Sequence, residues 1–317
     1  MSVLCTKTNF FRKEKIMSVY PPMKEVTHED YLEFIRTHKS VKIEDVEIPI
    51  GNPWKIRSFG PPENYKLETE TVWSFPDRGD WATHVGNYRA NWSPFIPRNL
   101  ILKYTKEGEW VLDQMVGSGT TLVECKLLNR NGIGVDINPD AIMVTRDRLN
   151  FEFNSPAIIK TYIGDARNLN LIANDSIDLI ATHPPYAWIV PFTKSNKIEN
   201  DISNYSLEEY LKAMEEIAAE CYRVLKPGRH CAILIGDTRR RKHYVPISYR
   251  VLQAFLNQGF LLKEDIIKRQ WKTKTTREVW KKGKRDFYLI AHEHLFVFRK
   301  PFEGERLKDY KYSMKWW

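Results

Sequence analysis

The alternation of short apolar strands with helices after residue 108 constrains the fold of this chain more than any other feature of its sequence. Strands are predicted at 110–113, 132–136, 162–163, 177–182 and 231–236. Helices are predicted at 120–129, 141–150, 206–225 and 248–257. Strands that are joined by crossover helices form a parallel sheet with helices on both faces. We therefore expect an α/β fold with a doubly wound, mostly parallel sheet.

The end of this alternation differs, because the apolar runs at 260–267 and 288–299 have no helix between them. Strands connected in this way pair in the antiparallel direction. The sheet is therefore expected to include a terminal antiparallel strand. Ser206 and Glu209 have the spacing of a capping box at the start of the longest helix, and the turn that follows this helix is predicted at 226–229.

Residues 1–71 have a different pattern from the rest of the chain. One helix is predicted at 28–39, and prolines then interrupt the segment from Pro49 to Pro62. We expect an N-terminal extension at 1–71 that packs on a main domain at 72–300, with a C-terminal tail at 301–317.

The composition favours a polyanionic partner. The 317 residues include 49 lysines and arginines against 40 acids, which gives a net charge of +9. No apolar run is long enough for a membrane-spanning helix, and the N-terminus lacks an apolar secretion signal, so no membrane association is expected. The four scattered cysteines predict reduced thiols in the cytoplasm, and no His/Cys pair has the spacing of a metal site.

Three acids follow three successive predicted strands, which is where a nucleoside cofactor would need them. Asp113 ends the first strand and precedes a turn that contains Gly117 and Gly119, where a backbone without side chains approaches a ligand closely. Asp136 ends the second strand, and Asp165 follows the third. The glycine spacing is not that of nicotinamide-binding folds. An acidic pocket suits a cationic sulfonium rather than an anionic pyrophosphate.

A second motif, His183-Pro184-Pro185-Tyr186, ends the strand 177–182 at the same edge of the predicted sheet. The two prolines fix the backbone, and the carbonyl groups before them are held in defined directions. Such carbonyls suit an exocyclic amino group that has to be held against an electrophilic methyl. The ring of Tyr186 offers a surface on which a base stacks.

These two motifs together resemble those of the DNA amino-methyltransferases, which make N4-methylcytosine or N6-methyladenine with S-adenosylmethionine. The cofactor motif of that family is Asp-Pro-Phe-x-Gly-Ser-Gly-Thr, and here Gln114 replaces the proline. The segment 91–101 is similar to the part of the family that closes over the methionine end of the cofactor. The resemblance covers about residues 72–300, with the cofactor motif before the catalytic motif.

The resemblance implies a Rossmann-like methyltransferase sheet and a role for each matching residue. Asp113 and the glycine turn would hold the methionine part of the cofactor, Asp136 the ribose and Asp165 the adenine. The implied cofactor-binding residues are Pro94, Asp113, Met115, Gly117, Ser118, Gly119, Thr120, Asp136, Ile137, Asp165, Ala166 and Thr182. The implied catalytic residues are His183, Pro184, Pro185 and Tyr186.

His183 stands where most cytosine enzymes of the family have serine and most adenine enzymes have aspartate. A neutral imidazole accepts with one nitrogen and donates with the other, so it could hold the amino group or take up its proton. Because histidine differs from aspartate, the sequence favours cytosine N4 as the target. A role for His183 in shaping the turn alone stays open.

Two basic segments are the predicted DNA contacts. The first contains Arg239, Arg240, Arg241 and Lys242. The second, 268–285, has nine basic residues against one acid; the contacts expected from it are Trp271, Lys272, Lys274 and Arg277. The base would be flipped out of the duplex, and residues 188–204 could form a lid over it.

The leading interpretation is a cytosine-N4 DNA methyltransferase of a restriction–modification system. Double-stranded DNA is its expected partner, a cognate restriction endonuclease is a possible second one, and the protein would be a monomer or a homodimer. The alternatives are adenine-N6 methylation, methylation of RNA or of a protein amide, and a DNA-binding protein with a decayed site. A cytosine-C5 enzyme is disfavoured because no Pro-Cys nucleophile is present.

Overall fold

The computed structural model describes residues 19–187, 193, 198–271 and 286–315. The strands are β1 (Lys24–Val26), β2 (Ser40–Ile43), β3 (Val46–Pro49), β4 (Val72–Ser74), β5 (Trp110–Asp113), β6 (Asn131–Asp136), β7 (Ile159–Ile163), β8 (Ile177–Thr182), β9 (Leu225–Ile235), β10 (Thr238–Arg240), β11 (His243–Val245), β12 (Leu261–Arg269) and β13 (His292–Arg299). The helices are α1 (His28–Thr37), α2 (Phe95–Tyr104), α3 (Thr120–Leu127), α4 (Pro139–Leu149), α5 (Leu207–Val224) and α6 (Ile247–Asn257).

Nine strands form the main sheet, in the order β1-β7-β6-β5-β8-β9-β13-β12-β4. The five strands from β7 to β9 in this order are parallel to one another. The chain builds outward from β5 to β7 and then returns to add β8 on the other side of β5. The order of strands therefore switches between β5 and β8, and ligands of such sheets bind at the carboxyl ends of the strands beside this switch.

Helices cover both faces of the parallel strands, as the alternation of strands and helices predicts. Val111 and Leu179 pack in the cluster that includes α2, whereas Leu112 and Ile180 pack with α5 and α6. Successive strand residues point to opposite faces, and both faces are buried, which is why apolar residues stand next to one another in these strands. The predicted α/β, doubly wound, mostly parallel sheet is confirmed.

The antiparallel strand pair is also confirmed, but its place in the sheet differs from the expected terminal position. Strand β13 lies between β9 and β12 and is antiparallel to both. The edges are instead formed by two short strands from the N-terminal part of the chain: β4 pairs parallel with β12, and β1 pairs antiparallel with β7. A local pattern could not reveal this, since pairing partners are far apart in sequence.

The turn predicted at 226–229 is wrong, because these residues lie within β9. Opposite them, the register of β8 shifts between Ile177, which pairs with Leu225, and Leu179, which pairs with His230. The additional residues of β9 bulge, and Gly228 has a positive φ of 78° that other residues adopt only with strain. The Pro-Gly pair thus marks an irregularity inside a strand rather than its boundary.

The predicted capping box of the longest helix is present. Ser206 accepts from the backbone N–H of Glu209, whose side chain accepts in return from the Ser206 N–H. The N-terminal extension is tied to α4 through Asp147, which accepts from the Tyr31 hydroxyl and from the Gly51 N–H, both at 2.7 Å. Among the described residues, no helix has the length and apolar character needed to cross a membrane.

Candidate active site

A cavity opens at the carboxyl ends of β5, β6 and β8, beside the switch in strand order. Its walls contain most of the residues that the sequence motifs predict, and these are Asp113, Met115, Gly117, Ser118, Thr120, Asp136, Ile137, Asp165, Ala166, His183 and Pro185. Residues that sequence reasoning missed line it too, among them Tyr88, Arg89 and Asn138. Asn91 and Trp92, from the segment predicted to close over the cofactor, and Thr193, Asn200 and Asp201, from the predicted lid, also line it. The cofactor motif and the catalytic motif therefore meet in one cavity.

The glycine turn forms one wall of the cavity, and its backbone requires glycine at two positions. Gly117 has φ 53° and Gly119 has φ 82°. A Cβ on Gly119 would lie 2.9 Å from the Thr145 side chain, and the Thr145 hydroxyl donates to the Gly117 carbonyl at 2.9 Å. Gly119 itself does not line the cavity. Its role is to let α3 begin close to α4, so that the backbone of residues 116–118 faces the cavity.

Asp136 is the acid best placed to accept from a bound hydroxyl. Its two oxygens accept from the backbone N–H groups of Gly117 and Asn138, each at 2.9 Å. Burial raises the pKa of Asp136 to about 7, although these two hydrogen bonds act to lower it. Each carboxylate oxygen has a second lone pair, so the group can still accept from the two hydroxyls of a ribose.

Asp113 lines the cavity and also holds the surrounding elements together. Its oxygens accept from the hydroxyls of Thr121 at 2.6 Å and Thr182 at 2.8 Å. Burial raises its pKa to about 6, against the lowering effect of these hydrogen bonds. The carboxyl group joins β5, α3 and β8, which fixes the positions of both motifs. The Thr182 hydroxyl makes this hydrogen bond to Asp113, and Thr182 does not line the cavity.

Asp165 lies at the cavity wall but is already paired. The guanidinium of Arg167 donates to both of its oxygens, at 2.9 and 2.7 Å, and the Arg167 backbone N–H donates as well. The ring of Tyr20 packs on the same guanidinium at 4.1 Å. The pairing holds the Asp165 carboxylate rigidly, so the one lone pair that stays open, on Oδ2, presents a fixed acceptor for an amino group.

The segment that was expected to close over the methionine end lies across the glycine turn. Asn91 and Trp92 line the cavity, and the Asn91 amide lies 3.4 Å from the Ser118 hydroxyl. Pro94 does not reach the cavity; it precedes α2 as its N-cap residue. Of the predicted lid, Thr193, Asn200 and Asp201 line the cavity, while residues 188–192 and 194–197 lie outside the described residues.

The catalytic motif follows β8 and brings His183 and Pro185 to the cavity, with Pro184 buried behind them. The Nε2 of His183 lies 2.6 Å from the Tyr186 hydroxyl oxygen. The Trp92 ring stacks on His183, with centroids 5.9 Å apart. Burial lowers the pKa of His183 to about 4, so the imidazole is neutral at physiological pH.

Tyr186 does not line the cavity, because its hydroxyl is held from the far side. It donates to Glu293 on β13 at 2.9 Å, and Lys268 on β12 donates to the other oxygen of Glu293 at 2.8 Å. Sequence reasoning missed Glu293 and assigned Lys268 to the DNA-contact segment 268–285, whereas the structure places Lys268 in β12 with its side chain paired to Glu293. The one signal was an acid within the apolar strand 288–299, at the position that faces a lysine of the neighbouring strand.

The predicted DNA contacts lie partly within the described chain. Arg239 and Arg240 are on β10, and Arg241 and Lys242 form the tight turn to β11. Arg239 packs on Phe287 at 4.7 Å, whereas Arg240, Arg241 and Lys242 are exposed. Trp271 is exposed and stacks with Arg269 at 4.5 Å. Lys272, Lys274 and Arg277 lie outside the described residues. Within the part of the chain that the structure describes, no cluster of His, Cys, Asp or Glu is suited to a metal ion.

The cavity at the switch point, with acids at the ends of successive strands, is that of an α/β protein that binds a nucleoside cofactor. A family model described as DNA methylase, of the N6/N4 methyltransferase group, matches residues 7–147 and 177–315. The chain belongs to this family. The family that the motifs predict is thereby confirmed, and with it S-adenosylmethionine as the cofactor.

Curated relatives match parts of the chain. The Type II methyltransferase M.HpaI of Haemophilus parainfluenzae is 36% identical over 156 residues, which are 47% of this chain and 41% of the relative. The Type II methyltransferase M.BglII of Bacillus subtilis is 34% identical over 110 residues, 34% of this chain and 28% of the relative. A release factor glutamine methyltransferase of Caulobacter vibrioides is 32% identical over 137 residues, 40% and 45% respectively. Each match spans less than half of the relative's length.

The chemistry of the cavity fits S-adenosylmethionine. Asp136 would accept from its ribose hydroxyls and Asp165 from its adenine amino group, and the glycine turn would face its methionine part; all of these residues line the cavity. The Tyr88 ring closes the cavity at this turn, at 3.3 Å from where a Cβ on Gly117 would stand. When bound there, the cofactor supplies an electrophilic methyl on a positively charged sulfur.

Cofactor affinity is expected to depend on pH through Asp136. Its raised pKa of about 7 means that the acid is increasingly protonated as the pH falls through 7, and a protonated carboxyl is a poorer acceptor. By linkage, we expect affinity to fall roughly tenfold between about pH 8 and about pH 6, with release of a proton on binding below pH ~7. Calorimetry in two buffers with different ionisation enthalpies measures both effects. The change of cofactor affinity with pH should vanish in Asp136→Asn. An unchanged pH dependence in that variant would assign it to another group.

Proposed function

We propose that this chain transfers the methyl group of S-adenosylmethionine to the N4 amino group of a cytosine in double-stranded DNA. The observation that carries the proposal is the meeting of the cofactor turn and His183 in one cavity. The methyl donor and the amino group would therefore be held face to face.

The proposed reaction needs an acceptor for the amino hydrogens. The amino nitrogen of cytosine attacks the methyl carbon, the carbon–sulfur bond breaks, and the electron pair leaves with the sulfur. The nitrogen then carries an excess proton, which has to be removed. The neutral imidazole of His183 accepts a hydrogen bond before the transfer and takes up this proton after it. Glu293, which is separated from the ring by the Tyr186 hydroxyl, stabilises the positive charge that the protonated imidazole then carries.

The choice of cytosine rests on the chemistry of position 183. A neutral nitrogen acceptor differs from the carboxylate of most adenine enzymes in the family, and Glu293, the carboxylate in this network, contacts Tyr186 instead. The target base would be flipped into the cavity, at a cost of a few kcal/mol in stacking and pairing. Two relatives, M.HpaI and M.BglII, are Type II methyltransferases, and this likeness favours a role beside a restriction endonuclease.

Transfer of a labelled methyl group tests the proposal. The full chain is incubated with S-adenosylmethionine and duplex DNA of mixed sequence, the DNA is digested to nucleosides, and the products are identified by mass spectrometry. We expect N4-methyl-deoxycytidine. N6-methyl-deoxyadenosine would replace the proposal by adenine methylation. Methyl incorporation into RNA or a glutamine side chain, but not into DNA, would overturn the DNA substrate, and incorporation into none of them would favour a decayed site.

The exposed residues of the β10–β11 hairpin are proposed to contact DNA phosphates. The double variant Arg240→Ala/Arg241→Ala should bind duplex DNA more weakly, and the slope of log affinity against log salt should become shallower by about 1.8, at ~0.9 per phosphate. Fluorescence anisotropy at several salt concentrations measures this slope. The matched control is Lys103→Ala/Lys106→Ala, two exposed lysines that precede β5 at the opposite edge of the sheet. Equal slopes in both variants would remove the hairpin from the DNA interface.

A further inference from the structure

A series of hydrogen-bonded side chains links His183 to the antiparallel strands behind the cavity. Nε2 of His183 lies 2.6 Å from the Tyr186 oxygen, Tyr186 donates to Glu293 at 2.9 Å, and Lys268 donates to Glu293 at 2.8 Å. Lys268 and Glu293 are directly paired across β12 and β13, and their side chains are only 17% and 8% exposed. Neither residue belongs to the cofactor motif or the catalytic motif.

The direction of these hydrogen bonds follows from counting protons. A lysine ammonium only donates, so the oxygen of Glu293 that it contacts accepts. The Tyr186 hydroxyl has one proton, and that proton is donated to the other oxygen of Glu293. The proton between Tyr186 and His183 must then belong to the histidine. Nε2 of His183 is therefore protonated, and in a neutral ring Nδ1 is the acceptor.

The charges support this assignment. Burial would raise the pKa of Glu293, but Lys268, His183 and the hydrogen bonds from Lys268 and Tyr186 outweigh it and bring the pKa to about 2. The carboxyl group is thus ionised at any pH at which the protein would act. An ionised Glu293 cannot donate to Tyr186. Hydrogen bonds that run in the opposite direction, from Glu293 through Tyr186 to His183, are therefore excluded.

We propose that Glu293, oriented by Lys268, is a positioning residue that sets the tautomer of His183 through Tyr186, so that Nδ1 is presented as the acceptor for the target amino group. The inference rests on the proposed function for the identity of that amino group. In this proposal the Tyr186 hydroxyl connects Glu293 on β13 to the imidazole of His183 at the cavity. The antiparallel pair β12–β13 thereby has a part in the chemistry.

Replacement of Glu293 by glutamine gives a sharp test, because it should reverse the direction of the hydrogen bonds between His183, Tyr186 and residue 293. Lys268 requires an acceptor, so the glutamine amide would turn its oxygen toward Lys268 and its NH2 toward Tyr186. The tyrosine oxygen would then accept, and its proton would be donated to Nε2 of His183. The proton of the neutral ring would have to move to Nδ1, which removes the acceptor from the cavity.

The tautomer is read directly by two-bond ¹H–¹⁵N NMR on the full chain with ¹⁵N-labelled histidine, at neutral pH. The His183 signals among the eight histidines are identified by their absence in His183→Asn. We expect the Nε2–H form in the wild type and the Nδ1–H form in Glu293→Gln. The rate constant kcat for methyl transfer should fall about 10–100-fold, toward the ~10⁴-fold loss known for a wrong histidine tautomer, while KM for DNA and the Kd for the cofactor change less than about twofold.

The matched control is Glu305→Gln. Glu305 is also an ionised acid paired with an arginine, Arg299, at the other end of β13, about 20 Å away at ~3.3 Å per residue. It should leave the tautomer and kcat unchanged. A wild-type His183 with its proton on Nδ1 would overturn the proposal without any variant. So would a Glu293→Gln protein that keeps the Nε2–H form, or one in which KM rises while kcat stays unchanged.

The wild-type spectrum keeps the test independent of the proposed function and of the stability of the variant. If the wild type transfers no methyl to DNA, the proposed function fails, while the tautomer measurement still decides the role of Glu293. If Glu293→Gln does not fold, Tyr186→Phe interrupts the same chain, and we expect a mixture of both His183 tautomers in it. A single Nε2–H form in Tyr186→Phe would contradict the relay.

Discussion

Replacement of Asp136 by alanine is expected to weaken the binding of S-adenosylmethionine by about 100-fold or more. The carboxylate is the acceptor proposed for the two ribose hydroxyls, and a hydrogen bond to a charged group contributes about 1.5–3 kcal/mol. The loss of two such bonds is thus at least about 3 kcal/mol, where ~1.4 kcal/mol corresponds to a factor of ten. Isothermal calorimetry with the cofactor measures the effect.

The variant also removes the acceptor for the Gly117 and Asn138 N–H groups, so a part of the loss would come from the glycine turn. Asp136→Asn separates the two contributions, because the amide oxygen can still accept from one of these groups while the negative charge is gone. We expect an intermediate loss for asparagine. The matched control is Asp140→Asn, an acid in the first turn of α4 that does not line the cavity. If Asp136→Ala binds the cofactor within about threefold of the wild type, the ribose site lies elsewhere.

The sequence was informative about Asp136 because the argument for it is local. Strand, acid and helix follow one another along the chain at β6, Asp136 and α4, and in a parallel sheet the ends of successive strands necessarily lie at one edge. Convergence of the residues after β5, β6 and β8 therefore needs no knowledge of long-range contacts. The positive φ angles of Gly117 and Gly119 are likewise local requirements.

The contact between Tyr186 and Glu293 could not be predicted, because it depends on pairing between distant strands. Glu293 follows Tyr186 by 107 positions, and whether they meet is decided by the insertion of β13 next to β9. An antiparallel strand at the sheet edge would have left Tyr186 without this partner. The same holds for β1 and β4, whose short segments gain their stability from the strands that they border.

Asp113 shows how one side chain can serve the fold at a position that also fits a motif. Its oxygens accept from Thr121 and Thr182, so the acid holds the walls of the cavity together. The sequence predicts that an acid ends β5, but only the three-dimensional arrangement shows which hydroxyls it holds.

His183→Ala is expected to retain cofactor binding and to lose methyl-transfer rate, by about 100-fold or more. The imidazole is the proposed acceptor for the amino hydrogens and for the released proton, and a positioned acid–base group contributes about 10²–10⁴-fold. The cofactor acceptors Asp136 and Asp165 are untouched by this change. Single-turnover transfer of labelled methyl to duplex DNA, with calorimetry for the cofactor, measures the two properties separately.

The neutral form of the imidazole makes the role of His183 testable by pH as well. Because burial lowers its pKa to about 4, the single-turnover rate at saturating cofactor should show no loss that is due to His183 between about pH 6 and pH 8. His183→Asn is the matched variant, since an amide oxygen close to the ring nitrogen can accept a hydrogen bond but cannot take up the proton. It should recover part of the rate that alanine loses, by holding the amino group without serving as a base. Equal rates in the wild type and in His183→Ala would leave the histidine with a role in the shape of the turn only.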